Sequence, residues 1–190
     1  MKKKLNKTIF LDRDGVINVD SSYYIKSWDE FSFIPGSLEA LRMLHEKAFD
    51  VILITNQSII NRGMILQKVL DHIFLMMQSE IESTGGKITD IFFCPHTPEE
   101  GCACRKPLPG LIRKAQEKYE IDIPESIMVG DSAKDIQCAR NAGCGTAILV
   151  KTGNEAEARE TLLQENVFPD HVADNLLSAV KWILKKKHLL

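Results

Sequence analysis

Three short polar clusters hold the residue types that could do chemistry: Asp12-Arg13-Asp14-Gly15, Thr55-Asn56-Gln57-Ser58 and Gly130-Asp131-Ser132-Ala133-Lys134-Asp135. Each stands at the end of a short apolar run. Asp12, Asp14, Asp131 and Asp135 gathered on one rim would repel one another without a cation. Carboxylates plus water suit Mg²⁺, a hard ion that keeps several waters and takes phosphate oxygens as further ligands. A carboxylate beside such an ion stays ionised. Taken singly, each cluster has a plainer reading: Asp131 and Asp135 could cap the next helix, and Thr55 could simply end a strand. A calcium loop does not fit, because Gly15 comes too early and a strand stands where the incoming helix would be.

A second constellation lies in residues 93–107, Phe-Cys-Pro-His-Thr-Pro-Glu-Glu-Gly-Cys-Ala-Cys-Arg-Lys-Pro. Cys94, His96, Cys102 and Cys104 supply three thiolates and an imidazole, the ligand count of a closed tetrahedral zinc site. The alternative is a loop of reduced, unliganded cysteines. With no open position evident, the expected zinc is structural. Arg105 and Lys106 follow the last ligand directly, so a metal here would hold both cations over the active rim. The five cysteines are an odd number, and three of them crowd into residues 94–104, which argues against a disulfide framework and for a reducing compartment. Cys138 and Cys144, beside Ala139 and Ala142, read as small core residues.

The elements that must position these groups alternate. Thr8–Asp12, Val51–Thr55, Ile88–Phe93, Ile127–Gly130 and Thr146–Val150 read as buried strands, with His171–Ala173 a short sixth. Between them, Leu38, Leu41, Leu44 and Ala48 mark one helix face, and Ile65 through Ile81 step by three or four along a second. Leu111–Tyr119, Ala133–Ala142, Glu155–Gln164 and Asn175–Lys185 are further helices. The pattern predicts an α/β, Rossmann-like parallel sheet with helices on both faces. In such sheets ligands sit beyond the carboxyl ends of the strands, where the polar clusters fall.

Composition excludes several classes. With 24 Lys+Arg against 26 Asp+Glu, the formal charge is −2, which speaks against a nucleic-acid binder working through bulk electrostatics. No apolar run approaches the ~18 residues of a membrane span. The apolar stretch after Met1-Lys2-Lys3-Lys4 stops at Asp12, too short for a signal peptide. The basic tail at 181–190 reads as a solvated helix end with helix-dipole benefit. The expectation is a cytoplasmic, monomeric protein of one domain, 1–190, with the zinc loop at 94–104 and no nucleic-acid or membrane partner.

Asp12/Asp14, Thr55, Lys106 and Asp131/Asp135 together resemble the haloacid dehalogenase (HAD) superfamily of phosphotransferases. That resemblance implies Asp12 as the nucleophile forming an aspartyl-phosphate, and Asp14 as acid and base with its carbonyl in the metal shell. It implies that Thr55 and the Asn56 backbone hold phosphoryl oxygens, and that Lys106 offsets charge. Mg²⁺ would be held by Asp12, Asp14 and Asp131, with Asp135 in support. The runs Phe10–Asp20, Thr55-Asn56-Gln57-Ser58 and Cys94-Pro-His96…Cys102-x-Cys104-Arg105-Lys106-Pro107 are similar to the D-glycero-D-manno-heptose-1,7-bisphosphate 7-phosphatases. These act in nucleotide-heptose synthesis for bacterial surface polysaccharide. A small phosphorylated sugar is therefore the implied substrate, lined by Asp20, Ser21, Ser22, Tyr23, Gln57 and Ser58 and contacted by Arg105. Histidinol-phosphate phosphatases share the zinc loop and are the alternative; a zinc-stapled binding module without catalysis is the reading from another class. Two positions depart from the pattern: Ile59 follows Ser58 where glycine is common, and Ser132 follows Asp131 where lysine is common. So little sequence separates the strands that the cap should be minimal, formed by the 16–35 loop and the zinc loop.

Overall fold

The computed structural model describes residues 2–5, 7–153 and 155–188, which leaves the last two residues of the basic tail outside the described residues. Eight strands run β1 Lys3–Leu5, β2 Thr8–Leu11, β3 Asp50–Asn56, β4 Asp90–Cys94, β5 Tyr119–Ile121, β6 Ile127–Gly130, β7 Thr146–Val150 and β8 His171–Ala173. The helices are α1 Ser37–Glu46, α2 Gln67–Ser83, α3 Gly110–Lys118, α4 Ala133–Ala142, α5 Glu155–Gln164 and α6 Leu176–Lys186. Six strands form one sheet in the order β4-β3-β2-β6-β7-β8, every pair parallel.

Strand side chains alternate between two cores, as a sheet covered on both faces requires. Ile9, Leu11, Val51, Leu53, Val129 and Ile148 pack with α1, α2 and α6. Phe10, Ile52, Ile54, Met128, Ala147 and Leu149 pack with α3, α4 and α5. Cys138 and Cys144 are buried in the second core. A short parallel ribbon, β1 with β5, adds Leu5 and Ile121 to that layer. Sequence periodicity misses this ribbon because three residues are too few to show alternation, and Tyr119 accordingly opens β5 instead of ending α3.

The chain order places β2 at the centre with β3 and β6 on either side, so all three polar clusters leave the sheet at adjacent positions. The long connection from β2 to α1 forms the flap over this edge. Its two arms pair through Val19 N–H to Ser32 O at 2.9 Å and Ile34 N–H to Ile17 O at 2.9 Å. Trp28 stacks on Phe31 at 4.9 Å between ring centroids, so its ring packs the flap. Among the described residues no helix is long and apolar enough to cross a membrane.

Candidate active site

Asp12 follows β2 and Asp131 follows β6, and each offers a carboxylate oxygen to one small volume. The ligand atoms of Asp12, Asp131 and Asp135 lie within 4.8 Å of one another. Lys106 is 3% exposed and reaches this cluster from below, its Nζ 2.8 Å from Asp12 Oδ2 and 2.6 Å from Asp135 Oδ1. Asp135 spends its other oxygen on the start of α4, accepting from Ser132 N–H at 3.1 Å and Ser132 Oγ at 2.6 Å. Ser132 and Asp135 thus form a reciprocal cap. Asp135 braces Lys106 and the start of α4 through its two oxygens, beside Asp12 and Asp131 in the same cluster.

Asp131 differs. Among the described residues its carboxylate makes no hydrogen bond or ion pair, and it lies against bare backbone: a Cβ on Gly15 or Gly153 would fall 2.2 Å or 1.8 Å from its Oδ2. Burial, followed by the charges of Asp135 and Asp12, pushes its carboxyl up to about 8. Burial and then the Asp135 charge, partly offset by Lys106, push Asp12 up to about 6. Three carboxylates crowd one ammonium, which pairs with Asp12 and Asp135 and leaves Asp131 without an ion pair. A hard divalent cation between Asp12 and Asp131 is the group that this donor set fits.

Asp14 is held on the other side of the cavity. Arg13, 1% exposed, forks onto it with Nε at 3.0 Å and an NH2 nitrogen at 2.6 and 2.8 Å to its two oxygens. Asn18 Nδ2 donates to it at 2.9 Å and Gln57 Nε2 at 2.8 Å. Burial alone would raise Asp14, but the Arg13 guanidinium and these hydrogen bonds hold its carboxyl below the usual value. Asn56 has a different use: its side chain accepts from Lys106 N–H at 3.1 Å and donates to Lys106 O at 3.2 Å, so it clamps the peptide that carries the lysine.

These groups wall a cavity of about 340 Å³ lined by Asp12, Arg13, Asp14, Asp20, Ser21, Ser22, Tyr24, Ile25, Thr55, Asn56, Gln57, Asp131 and Ser132. Tyr23, Ser58 and Arg105, all expected at the substrate, stand outside this lining. Tyr23 is 78% exposed and turns outward, while its neighbour Tyr24 reaches the wall. Ser58 is buried behind the strand end, its carbonyl accepting from Arg62 N–H at 2.9 Å. Arg105 lines a neighbouring groove with Lys106 and Lys134, and its guanidinium donates to His96 O at 3.0 Å. Arg13, Asn18 and Thr152-Gly153 were not singled out by sequence. The strand-end rule would have found the last pair, which follows β7 on the same rim, where Thr152 Oγ1 donates to Gly15 O.

The cysteine loop closes on itself. Cys94 Sγ lies 3.2 Å from Cys104 Sγ, 3.5 Å from Cys102 Sγ and 3.4 Å from His96 Nδ1. A tetrahedron with metal–sulfur bonds of about 2.3 Å has edges of about 3.8 Å, so the four donors need only a slight expansion to hold an ion. Burial pushes the Cys94 thiol up to about 12, whereas at Cys102 hydrogen bonds from Cys104 and Cys94 outweigh burial and draw it down to about 7. Thiolates are the form that ligates, so an ion bound here would release protons from these cysteines.

Comparison with known proteins agrees with this geometry. A HAD-hydrolase-like family model matches residues 103–179. A D-glycero-beta-D-manno-heptose-1,7-bisphosphate 7-phosphatase of Bordetella bronchiseptica is 42% identical over 182 residues, covering 95% of this chain and 99% of that one. The enzyme of the same name from Yersinia pestis is 43% identical, covering 79% of this chain and 83% of its own. The crystal structure of the B. bronchiseptica D,D-heptose 1,7-bisphosphate phosphatase, complexed with magnesium and phosphate, superposes with a TM-score of 0.88 at 41% identity, over 95% of this chain and 99% of that one. Parallel sheet, strand-end carboxylates and near-complete coverage by these relatives lead to one conclusion: the chain belongs to the D-glycero-D-manno-heptose-1,7-bisphosphate 7-phosphatase family of HAD-like phosphoric monoester hydrolases.

Proposed function

We propose that this chain removes the 7-phosphate of D-glycero-D-manno-heptose 1,7-bisphosphate, with Asp12 as the group that receives phosphorus. The observation that carries the assignment is the Asp12–Lys106–Asp135 chain beside an uncommitted Asp131, facing Thr55 across one cavity. Mg²⁺ held by Asp12, Asp131 and the Asp14 carbonyl would neutralise phosphoryl charge when bound. Asp12 attacks phosphorus in line and displaces the sugar alkoxide, and water then hydrolyses the aspartyl-phosphate. Thr55 and the Asn56 backbone cradle phosphoryl oxygens while Lys106 offsets the negative charge on Asp12. Asp14, held ionised in the free protein, gains proton affinity as the anionic phosphoryl group enters beside it. It then donates to the leaving oxygen and later takes a proton from the attacking water.

Asp20, Ser21 and Ser22 line the sugar side of the cavity. Arg105, in the adjoining groove with Lys134, is placed for the second phosphate of the substrate. The Cys94, His96, Cys102, Cys104 cluster holds a structural zinc that fixes Arg105 and Lys106 at the rim. Phosphate release from both anomers of heptose 1,7-bisphosphate and from histidinol phosphate tests the assignment. Turnover should be fastest on a heptose bisphosphate and should vanish in Asp12→Asn; a preference for histidinol phosphate would overturn the substrate.

A further inference from the structure

Gln57 is 4% exposed and its side-chain nitrogen donates twice, to Asp14 Oδ2 at 2.8 Å and to Thr55 Oγ1 at 3.0 Å. Its backbone N–H is fixed as well, donating to Cys94 O at 2.7 Å. The amide can face only one way. Asp14 is gripped on both oxygens by the Arg13 fork and accepts from Asn18, so it takes donors from every side. The Gln57 NH2 must therefore face Asp14, and its second hydrogen then points at Thr55.

This settles what Thr55 can do. A hydroxyl has one hydrogen and two acceptor lone pairs, and its rotor turns to suit its surroundings. With one lone pair taken by Gln57, the Thr55 hydrogen is turned away from the amide. Thr55 is 1% exposed, and none of the described residues accepts that hydrogen. Thr55 lines the cavity together with Asp12, so the unused donor faces the volume in which a phosphoryl group would sit.

We propose that Gln57 is a positioning residue that fixes the Thr55 hydroxyl as a donor toward the phosphoryl oxygens and links it to Asp14. Without Gln57 nothing holds the hydroxyl rotor in one orientation, and the oxyanion loses a preset donor. Arg13 and Gln57 both donate to Asp14, and the Gln57 amide, anchored there, turns its other hydrogen on Thr55. The inference rests on the phosphoryl reading of this cavity, and the test separates the two.

Inorganic phosphate is the probe, titrated calorimetrically with Mg²⁺ present against the wild type, Thr55→Val, Gln57→Met and the double variant. Methionine is close to glutamine in length and shape but donates nothing. Loss of one hydrogen bond to an anion should weaken phosphate roughly ten- to a hundredfold in Thr55→Val. Gln57→Met should reproduce most of that loss by itself and add little when Thr55 is already Val. Thr55→Ser should restore phosphate binding when Gln57 is present and fail to restore it in the Gln57→Met background. Independent, additive losses would overturn the positioning role while leaving the phosphoryl reading intact. Undiminished binding in Thr55→Val would overturn the positioning role, whereas a wild type that binds no phosphate would overturn the phosphoryl reading. Gln57→Ala, which cannot clash, is read in the same cycle if the methionine variant does not fold.

Discussion

Replacing Lys106 with methionine should separate the energetic and chemical parts of the site. The ammonium is 3% exposed and lies 2.8 Å from Asp12 and 2.6 Å from Asp135. At an effective dielectric near 20, each contact is worth about 6 kcal/mol of Coulomb attraction before desolvation is subtracted. Deleting one partner of a buried pair typically costs about 3–5 kcal/mol, because a charge is left uncompensated. Asp135 keeps its two Ser132 donors, which places Lys106→Met toward the lower end of that range. Urea unfolding in magnesium-free buffer should show a loss of about 3 kcal/mol. Asp135→Asn added to Lys106→Met should recover part of it, since both members of one pair are then gone. Phosphate release should fall about 10²–10³-fold in Lys106→Met, as when one electrostatic stabiliser is removed, and should stay low in the double variant. A stability loss under about 1 kcal/mol together with less than tenfold in rate would refute the claim that this cation balances the pocket. Recovered activity in the double variant would show that the lysine serves only to neutralise Asp135.

Metal linkage follows from the raised carboxyls. Asp131 and Asp12, at about 8 and about 6, lie above the value near 3.8 for a free carboxyl, so folding binds protons at these groups and each loses stability as it ionises. The metal-free protein should therefore lose stability as pH rises from about 4 toward 8, and Mg²⁺ should raise the melting temperature more at about pH 8 than at about pH 6; equal shifts at both would contradict the shared site. Gly153→Ala would place a Cβ 1.8 Å from Asp131 Oδ2, so the Mg²⁺ dependence of phosphate release should shift to at least about tenfold higher concentration, and an unchanged dependence would exclude Asp131 as a ligand. Elemental analysis should find zinc in the wild type and none in Cys104→Ser, with a lower melting temperature and a slower rate because Lys106 follows two residues later; full activity in a zinc-free variant would remove the loop from the account.

The order of strands was legible because each apolar run is short and ends in a polar cluster, and the Asp12, Thr55 and Asp131 positions follow from that punctuation. The rim they share depends on β2 lying between β3 and β6, which only pairing reveals. Residues that act by holding other residues were hidden. Arg13 looks like one more surface charge in Asp-Arg-Asp, yet it is 1% exposed and grips Asp14. Asn56 was expected to use its backbone, and its side chain proves to be spent on Lys106, fifty positions away. Gly153 carries no side chain to notice, and its importance is visible only from the Asp131 oxygen that a Cβ would strike. Tyr23 was expected at the substrate through the family resemblance, yet its neighbour Tyr24 lines the cavity, and neighbouring loop positions have no period to tell inward from outward.

Capture of the covalent intermediate tests the central claim most directly. Rapid acid quench during turnover, followed by borohydride reduction, converts an aspartyl-phosphate to homoserine, and peptide mass spectrometry locates the change. The account predicts homoserine at position 12 in the wild type and none in Asp12→Asn, which should release no phosphate. Homoserine at another aspartate, or phosphate release by Asp12→Asn at the wild-type rate, would contradict it.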